Sequence, residues 1–327
     1  MSVLVKVAYL NLLEGGYDRA APQPFARLYR QIAILAEGGA DVVGLGEIDR
    51  RYWGADRNRM YDEVAKRLGM DYRVAPGRGQ YDNGVYWSRR LFDLAGHSAL
   101  EGGAGILADL RLRNGAGIVF PFPLAVVVLH LDYASPTARV IQTERIVGAL
   151  ERYKAAFSVG DYNSGSCGDA APDLRRLPRD QWIRHVTPDG EWRTEATDRF
   201  HDAGYKDLFL ERGVAKPTAG FGPHKLAKRP DIAFAKAALA SAVIDCEQFD
   251  GESDHQGLLV TKDLEIAAPL LTDMRVLETS TAYDYAMRAV ERLVSAGLKD
   301  DATPLWVDCQ KRIIDAGGKV PASAGPF

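Results

Sequence analysis

Short apolar segments alternate with amphipathic segments over the first half of the chain, and this alternation constrains the fold most. Val3, Val5, Val7 and Tyr9 follow the two-residue period of a β-strand. Further strands are predicted at 41–49, 84–88, 124–132, 157–161, 230–236, 241–249 and 255–262, and helices at 24–37, 57–69 and 136–153. Strands and helices alternate early and strands cluster late, so we expect an α/β layered sandwich around paired sheets.

Charge and cysteine content narrow the class of protein. The net charge of the 327 residues is -3, so the chain has no overall positive field of the kind that drives tight non-specific binding to nucleic acid. A local basic patch can still serve a nucleic-acid substrate. The three cysteines show neither the spacing of a zinc site nor that of a disulfide framework, which favours a reducing cytoplasm (Cys167, Cys246 and Cys309).

Neither a signal peptide nor a membrane span is expected. The first apolar stretch alternates and contains Lys6. The longest apolar stretch, residues 120–131, contains Pro121 and Pro123 and is too short to cross a bilayer. We therefore expect a soluble cytoplasmic protein without a membrane partner.

The character of the sequence changes after residue 263. Thr281 and Asp284 stand in capping-box positions before an amphipathic segment, and a second helix is predicted at 303–316. We divide the chain into a catalytic domain, residues 1–263, and a helical extension, residues 264–327. The extension is expected to pack on its own domain, with a second copy or another partner as alternatives.

The segment FSVGDYNSG, residues 157–165, ends an apolar strand with polar side chains. Asp161 and Asn163 would point to the same side if the extended geometry continued, which would suit ligand binding. The alternative is an Asx turn, in which both side chains bond only their own backbone.

Other predicted strands also end in polar residues. Asn11, Glu47, His130, Asp254 and His255 each lie at or beside a strand end. Strand ends that converge on one rim are where α/β proteins carry out chemistry. Oxygen donors of this kind suit Mg²⁺, and histidines supply protons or positive charge beside a phosphate oxygen.

An ordered set of motifs resembles the endonuclease/exonuclease/phosphatase superfamily, whose members include DNase I and AP endonucleases. The motifs are YLNLLEG, DVVGLGEIDRR, YDNGVYWSR, VVVLHLD, SVGDYNS, KRPDIAF and SDHQGLLV, and they extend over residues 3–262. The resemblance implies a four-layer α/β/β/α sandwich of the DNase I type. It also implies a Mg²⁺-dependent hydrolase of phosphoester bonds, with Mn²⁺ as a possible substitute for Mg²⁺.

The same resemblance assigns roles to individual positions. Glu47 corresponds to the main metal ligand, with Asn11 and Asp254 beside it, and His130 corresponds to the histidine that contacts the scissile phosphate. Asp161 corresponds to the residue that orients the attacking water. Asn163 corresponds to a contact of the phosphate oxygen, and Asp231 to the aspartate that orients the final histidine, His255.

Two positions depart from the family pattern. Gly46 stands where Gln usually precedes the glutamate, and Pro230 stands where an apolar residue usually precedes the aspartate. Neither change removes a catalytic group, but each alters the backbone next to one.

Basic residues near these motifs indicate a phosphorylated substrate. Arg51, Lys228 and Arg229 flank predicted catalytic residues and are candidates for contacts with substrate phosphates. Trp53 is a candidate for stacking on a base, with packing in the core as the alternative. The substrate classes are DNA or RNA, as for a nuclease, and a small phosphorylated metabolite. A non-catalytic binding protein of the same fold is the third alternative.

Overall fold

The computed structural model describes residues 4–53, 57–113, 123–221 and 225–264, which form two six-stranded sheets. The first sheet contains, in spatial order, β11 (Val243–Asp250), β12 (Gln256–Asp263), β1 (Leu4–Asn11), β2 (Val42–Asp49), β4 (Tyr81–Ser88) and β3 (Met70–Pro76). The second contains β5 (Phe92–Leu100), β6 (Gly105–Leu112), β7 (Leu124–His130), β8 (Ala155–Asp161), β10 (Asp231–Lys236) and β9 (Tyr205–Asp207).

One parallel pair of strands lies in the middle of each sheet. Helix α1 (Ala26–Glu37) connects β1 to β2, and α4 (Pro136–Leu150) connects β7 to β8. Parallel neighbours need a crossover of this length, whereas the other strand pairs are antiparallel. As a result, the carboxyl ends of the two strands in each parallel pair lie at the same edge of their sheet.

Helices cover the outer face of each sheet. Leu28 and Ile32 of α1, with Val64 of α3 (Arg57–Leu68), pack against the first sheet, and Ile146 of α4 and Phe200 of α6 (Glu195–Asp202) pack against the second. The inner faces of both sheets contribute to a third cluster of buried hydrophobic residues. The protein is therefore the four-layer α/β/β/α sandwich that the family resemblance implies. The short helices are α2 (Arg50–Trp53), α5 (Trp182–His185), α7 (Leu208–Glu211) and α8 (Ala237–Ala240).

Each strand and helix predicted within the described residues exists, with shifts of a few residues at its ends. Helix α4 begins as expected: Ser135 accepts a 3.2 Å hydrogen bond from the Ala138 N–H, and Pro136 occupies the first turn. Strands β3, β5, β6 and β9 were not predicted. Strand β5 has few buried positions, so its hydrophobic pattern is weak, and β9 has three residues.

Residues 265–327 lie outside the described part of the chain, and so do the two helices predicted there. The division into residues 1–263 and 264–327 stays a prediction. Leu264 is buried in the cluster between the sheets. Among the described residues, no helix is both long enough and apolar enough to cross a bilayer.

Candidate active site

The ends of β1 and β2 hold Glu47 in a fixed position. Asn11 Nδ2 donates a 3.1 Å hydrogen bond to Glu47 Oε1, and the Glu14 N–H donates one of 3.3 Å to Oε2. Glu47 has a φ of 53°, and the register between β2 and β4 shifts at this point. Such an irregularity re-aims a side chain at the edge of a sheet. It leaves the Glu47 carboxylate partly exposed, with a side-chain accessibility of 19%.

His130 connects this carboxylate to the second sheet. The register pairs His130 at the end of β7 with Asp161 at the end of β8. Nε2 of His130 lies 3.7 Å from Asp161 Oδ2 and 4.0 Å from Glu47 Oε1. The imidazole therefore lies between carboxylates contributed by the two sheets.

Asp231 and His255 form the other side of the group. His255 Nδ1 lies 2.7 Å from Asp231 Oδ2 and 3.9 Å from Asp161 Oδ2. Thr218 Oγ1 donates a 2.6 Å hydrogen bond to the same Asp231 oxygen and accepts one of 3.2 Å from the Asp231 N–H. The fully buried Asp231 carboxylate is thus fixed before it orients the imidazole.

In the turn after β8, one oxygen of Asp161 forms an Asx turn and the other faces the site. The Asn163 N–H donates a 2.7 Å hydrogen bond to Asp161 Oδ1, so the Asx turn exists, while Oδ2 faces the two histidines. Asn163 has a φ of 49°, so the extended geometry does not continue past Asp161. Asn163 Nδ2 donates to the Leu131 carbonyl, 3.0 Å away, which fixes the carboxamide beside the site.

The pKa values of the two buried carboxylates, Asp161 and Asp231, are shifted in opposite directions. Burial alone would raise the pKa of Asp161, but His130, His255 and the Asn163 N–H outweigh it and lower that pKa. Burial raises the pKa of Asp231 despite the opposing effect of His255. Burial would lower the pKa of His255, yet the Asp231 carboxylate, with Asp161 and Asp254, raises it to about 10. The site therefore contains an ionised Asp161 beside a protonated His255.

Two groups of residues could hold a metal ion. Glu47 accepts one hydrogen bond on each oxygen, so both oxygens keep lone pairs that a hard cation such as Mg²⁺ would accept. Ligand atoms of Asp161, Asp231 and His255 lie within 4.8 Å of one another. In that second group the His255–Asp231 hydrogen bond already compensates the charge, so Glu47 fits a divalent cation better.

The other two predicted metal ligands are Asn11 and Asp254, and an oxygen of each already accepts a hydrogen bond. Asn11 Oδ1 accepts a 3.0 Å hydrogen bond from the Leu13 N–H, so Asn11 turns its amide nitrogen toward Glu47. Asp254 is exposed, and its carboxylate accepts a 3.4 Å hydrogen bond from Ser253. In this arrangement Asn11 positions the glutamate.

Of the three basic candidates, Lys228 lies at the site. Burial lowers the pKa of its ammonium group, whereas the Asp161, Asp231 and Asp254 carboxylates nearby oppose that shift. The main-chain N–H and C=O of Lys228 pair with Ala219, whose main chain also bridges to His255. Lys228 forms no ion pair with the described residues.

Arg229 is held in the interior, whereas Arg51 lies at the rim of the site. Arg229 is 5% exposed, and its guanidinium group is held 2.6 Å from Asp207 and 2.7 Å from Asp169. The guanidinium group is therefore neutralised by two buried carboxylates. The half-exposed Arg51 binds Asp49 at 2.6 Å and lies 4.0 Å from Glu14 at the rim.

Two further residues, Thr218 and Tyr81, lie at the site, and the structure also shows which of its two possible roles Trp53 has. Thr218 orients Asp231, and no motif marked it. Tyr81 opens the motif YDNGVYWSR, and its ring lies 6.4 Å from that of His130. Trp53 is 2% exposed and donates to the Gly15 carbonyl at 3.1 Å, so it packs in the core and does not stack on a substrate base.

Solved structures with this fold include several enzymes that act on phosphoesters. An AP endonuclease from Archaeoglobus fulgidus shares 16% identity, with a TM-score of 0.56 over 79% of this chain and 99% of the other. The 3' phosphatase NExo from Neisseria, bound to a product DNA hairpin, shares 17% identity, with a TM-score of 0.53 over 79% and 99%. ANGEL2, a 2',3'-cyclic phosphatase, shares 13% identity, with a TM-score of 0.53 over 80% and 95%. At these identities the likeness shows the fold alone.

A comparison with curated proteins found no match. A sequence model of the Endonuclease/Exonuclease/phosphatase family matches residues 11–255, from the asparagine that ends β1 to the histidine that precedes β12. The match includes each of the predicted catalytic and metal-binding positions. The chain therefore belongs to the Endonuclease/Exonuclease/phosphatase family of phosphoester hydrolases.

Proposed function

We propose that this protein is a Mg²⁺-dependent nuclease that hydrolyses phosphodiester bonds of DNA or RNA by direct attack of water. The observation that carries the proposal is the position of Asp161 Oδ2, 3.7 Å from His130 Nε2 and 3.9 Å from His255 Nδ1. A carboxylate in this position accepts a proton from water, and the adjacent imidazoles stabilise negative charge on the phosphoryl oxygens.

Each side chain has a distinct task in this proposal. Asp161 stays ionised because the two histidines lower its pKa, so it can orient and deprotonate the water. Since Asp231 holds Nδ1 of His255, the remaining Nε2–H of the charged ring is available to a phosphoryl oxygen. Asn163 is proposed to hold a further phosphate oxygen. No covalent intermediate is required.

Glu47 would hold the divalent cation, with Asp254 and Asn11 beside it. When bound, Mg²⁺ neutralises charge on the phosphoryl oxygens and on the leaving group. The hydrogen bonds from Asn11 and from the Glu14 N–H fix the Glu47 carboxylate before any cation binds. Fixed oxygens of this kind reduce the ordering cost of binding a cation that demands regular geometry.

Nucleic acid is supported as the substrate class by Lys228 at the site and by the half-exposed Arg51 at its rim. The AP endonuclease and the 3' phosphatase with its DNA hairpin share the fold. A small phosphorylated metabolite is the second candidate, favoured by the net charge of -3. A binding protein without activity is disfavoured because each catalytic position is filled.

A substrate panel tests the proposal. Purified protein with Mg²⁺ is incubated with plasmid DNA, single-stranded DNA, RNA and a set of phosphorylated metabolites, beside the Asp161→Asn variant. We expect cleavage of at least one nucleic acid by the wild-type protein and none by the variant. Release of phosphate from metabolites alone would support the second candidate, and no turnover of any substrate would support the binding protein.

A further inference from the structure

Tyr9 lies beneath the candidate active site and has no assigned role. It belongs to β1, two residues before Asn11, and its side chain is fully buried in the cluster between the sheets. The hydroxyl oxygen is also buried and forms no hydrogen bond with the described residues. A buried hydroxyl group without a partner is uncommon, because its desolvation costs free energy that only a hydrogen bond offsets.

The hydroxyl group of Tyr9 occupies the space of a side chain at position 46. A Cβ atom built on Gly46 would overlap the Tyr9 oxygen and lie 3.2 Å from Cζ of the same ring. Gly46 pairs with Asn11 in the sheet and directly precedes Glu47. The tyrosine and the glycine are therefore complementary in shape.

The hydroxyl group of Tyr9 lies beside the candidate active site. Its oxygen lies against Gly46, which directly precedes Glu47. A tyrosine keeps its proton at neutral pH, so the hydroxyl group is a hydrogen-bond donor. The main-chain N–H of Asp161 faces the Tyr9 oxygen without forming a hydrogen bond.

An acceptor without a donor lies on β10, opposite Asp161. Asp231 Oδ2 binds Thr218 and His255, but Asp231 Oδ1 is buried and accepts no hydrogen bond from the described residues. The register pairs Asp231 with Asp161, whose main-chain N–H faces the Tyr9 oxygen. One buried water molecule commonly satisfies two such groups together.

We propose that Tyr9 is a positioning residue of the active site, and that its hydroxyl group donates a hydrogen bond to Asp231 Oδ1 through one buried water molecule. Asp231 is then held on both oxygens, by Thr218 and His255 on one side and by Tyr9 on the other. This fixes the plane of the carboxylate and thereby the direction of the His255 ring. The catalytic part of this inference rests on the proposed function.

Tyr9→Phe removes the hydroxyl group and keeps the ring. We expect kcat to fall about 10-fold on the nucleic acid that the wild-type protein cleaves, the value for one lost hydrogen bond. KM should not change, because Tyr9 is fully buried and does not reach the substrate. Tyr86→Phe is the matched control: Tyr86 is also fully buried with an unpartnered hydroxyl group, but it lies on the outer side of the first sheet. That control should keep the wild-type kcat.

A second substitution tests whether the position of the hydroxyl group is what matters. Gly46→Ser alone should lower stability, because its Cβ overlaps the Tyr9 oxygen. In the Tyr9→Phe background that oxygen is gone, so the same Cβ meets only the ring and should cost less stability. Because the Cβ takes the space and the serine brings no hydroxyl group to that point, we expect the double variant to stay as slow as Tyr9→Phe. A double variant with the wild-type kcat would contradict this role, and so would a Tyr9→Phe protein with the wild-type kcat.

A high-resolution crystal structure provides a test that does not depend on activity. A water molecule within hydrogen-bond distance of both Tyr9 Oη and Asp231 Oδ1 is the expected result. If no water lies there and neither atom has another partner, the proposed bridge is wrong even for an active enzyme. Conversely, if the wild-type protein hydrolyses none of the substrates but the water is present, the proposed function fails and the bridge stands.

Discussion

A hydrogen bond of 2.7 Å between His255 Nδ1 and Asp231 Oδ2 joins the two sheets of the sandwich at the candidate active site. Asp231 begins β10 in the second sheet, and His255 directly precedes β12 in the first. The pair can form only when the two sheets have packed in the correct register. The catalytic geometry is therefore a property of the whole domain.

Replacing His255 should lower activity more than replacing Asp231. His255→Ala should reduce kcat by several orders of magnitude, because the charged ring acts on the phosphoryl oxygens themselves. Asp231→Asn should cost less, about 10- to 100-fold, since Asp231 acts only through His255. Steady-state kinetics of both variants, with unfolding midpoints as a control, check this order. A larger loss for Asp231→Asn would contradict it.

Thr218 provides a test of how firmly Asp231 must be held. Thr218→Val keeps the shape of the side chain but removes the 2.6 Å hydrogen bond to Asp231. We expect a loss of about 1–2 kcal/mol in the free energy of unfolding and a several-fold lower kcat, because a buried carboxylate loses a donor. The control is Thr143→Val, since the buried Thr143 hydroxyl group has no hydrogen-bond partner among the described residues. Equal stability of the two variants would contradict the role of Thr218.

The metal requirement should depend on Glu47. Chelation should abolish activity, and Mg²⁺ or Mn²⁺ should restore it. Glu47→Gln should raise the cation concentration for half-maximal activity at least about 10-fold. Glu14→Gln changes a neighbouring carboxylate that is 46% exposed, and it should leave this concentration unchanged. Activity that survives thorough chelation, or equal behaviour of the two variants, would show that Glu47 does not hold the metal.

Buried His185 should make stability depend on pH. Burial, aided by Lys228 and Arg139, lowers its pKa to about 3, from 6.5 in the unfolded chain. The unfolded state binds more protons between these values, so the free energy of unfolding decreases as the pH falls from 6.5 toward 3. At pH 5 the decrease should be about 2 kcal/mol relative to pH 7.

His185→Phe should keep the ring stacked on Trp192, with centroids 5.3 Å apart in the wild type, and remove this part of the acid sensitivity. Urea unfolding at about pH 5 and pH 7 measures the difference. His97→Phe, at an exposed position, is the matched histidine-to-phenylalanine control. If the free energy of unfolding of the wild type and of His185→Phe decreased equally between pH 7 and pH 5, His185 would not be the source of the acid sensitivity.

The strand ends that form the site could be predicted from the sequence because two signals coincide there. An apolar run indicates a buried strand. A polar residue buried at the end of that strand costs free energy unless it has a hydrogen-bond partner, so its presence there indicates a partner or a function. His130 and Asp161 are examples, and the register confirms that they are neighbours. Strand β5 lacks such a run, because most of its positions are not buried, so the sequence does not indicate it.

Side-chain partners could not be predicted, because they depend on contacts between distant segments. Arg229 has the same basic character as Lys228 in the sequence, yet Asp207 and Asp169 neutralise it in the interior. Asn11 Oδ1 accepts a hydrogen bond from the Leu13 N–H, and this contact could not be inferred from the sequence. Tyr9 is indistinguishable from a core residue until the space beside Gly46 is known.

Hydrolysis of a phosphodiester in water enriched in oxygen-18, by the wild-type protein and by Asp161→Asn, tests the central claim most directly. With Mg²⁺ present, we predict that the wild-type protein places the heavy oxygen on phosphorus within a single turnover. The variant should be slower by at least about 1000-fold at an unchanged unfolding midpoint. A phosphate product without the label, or a variant with a rate close to that of the wild type, would contradict attack by a water molecule that Asp161 positions.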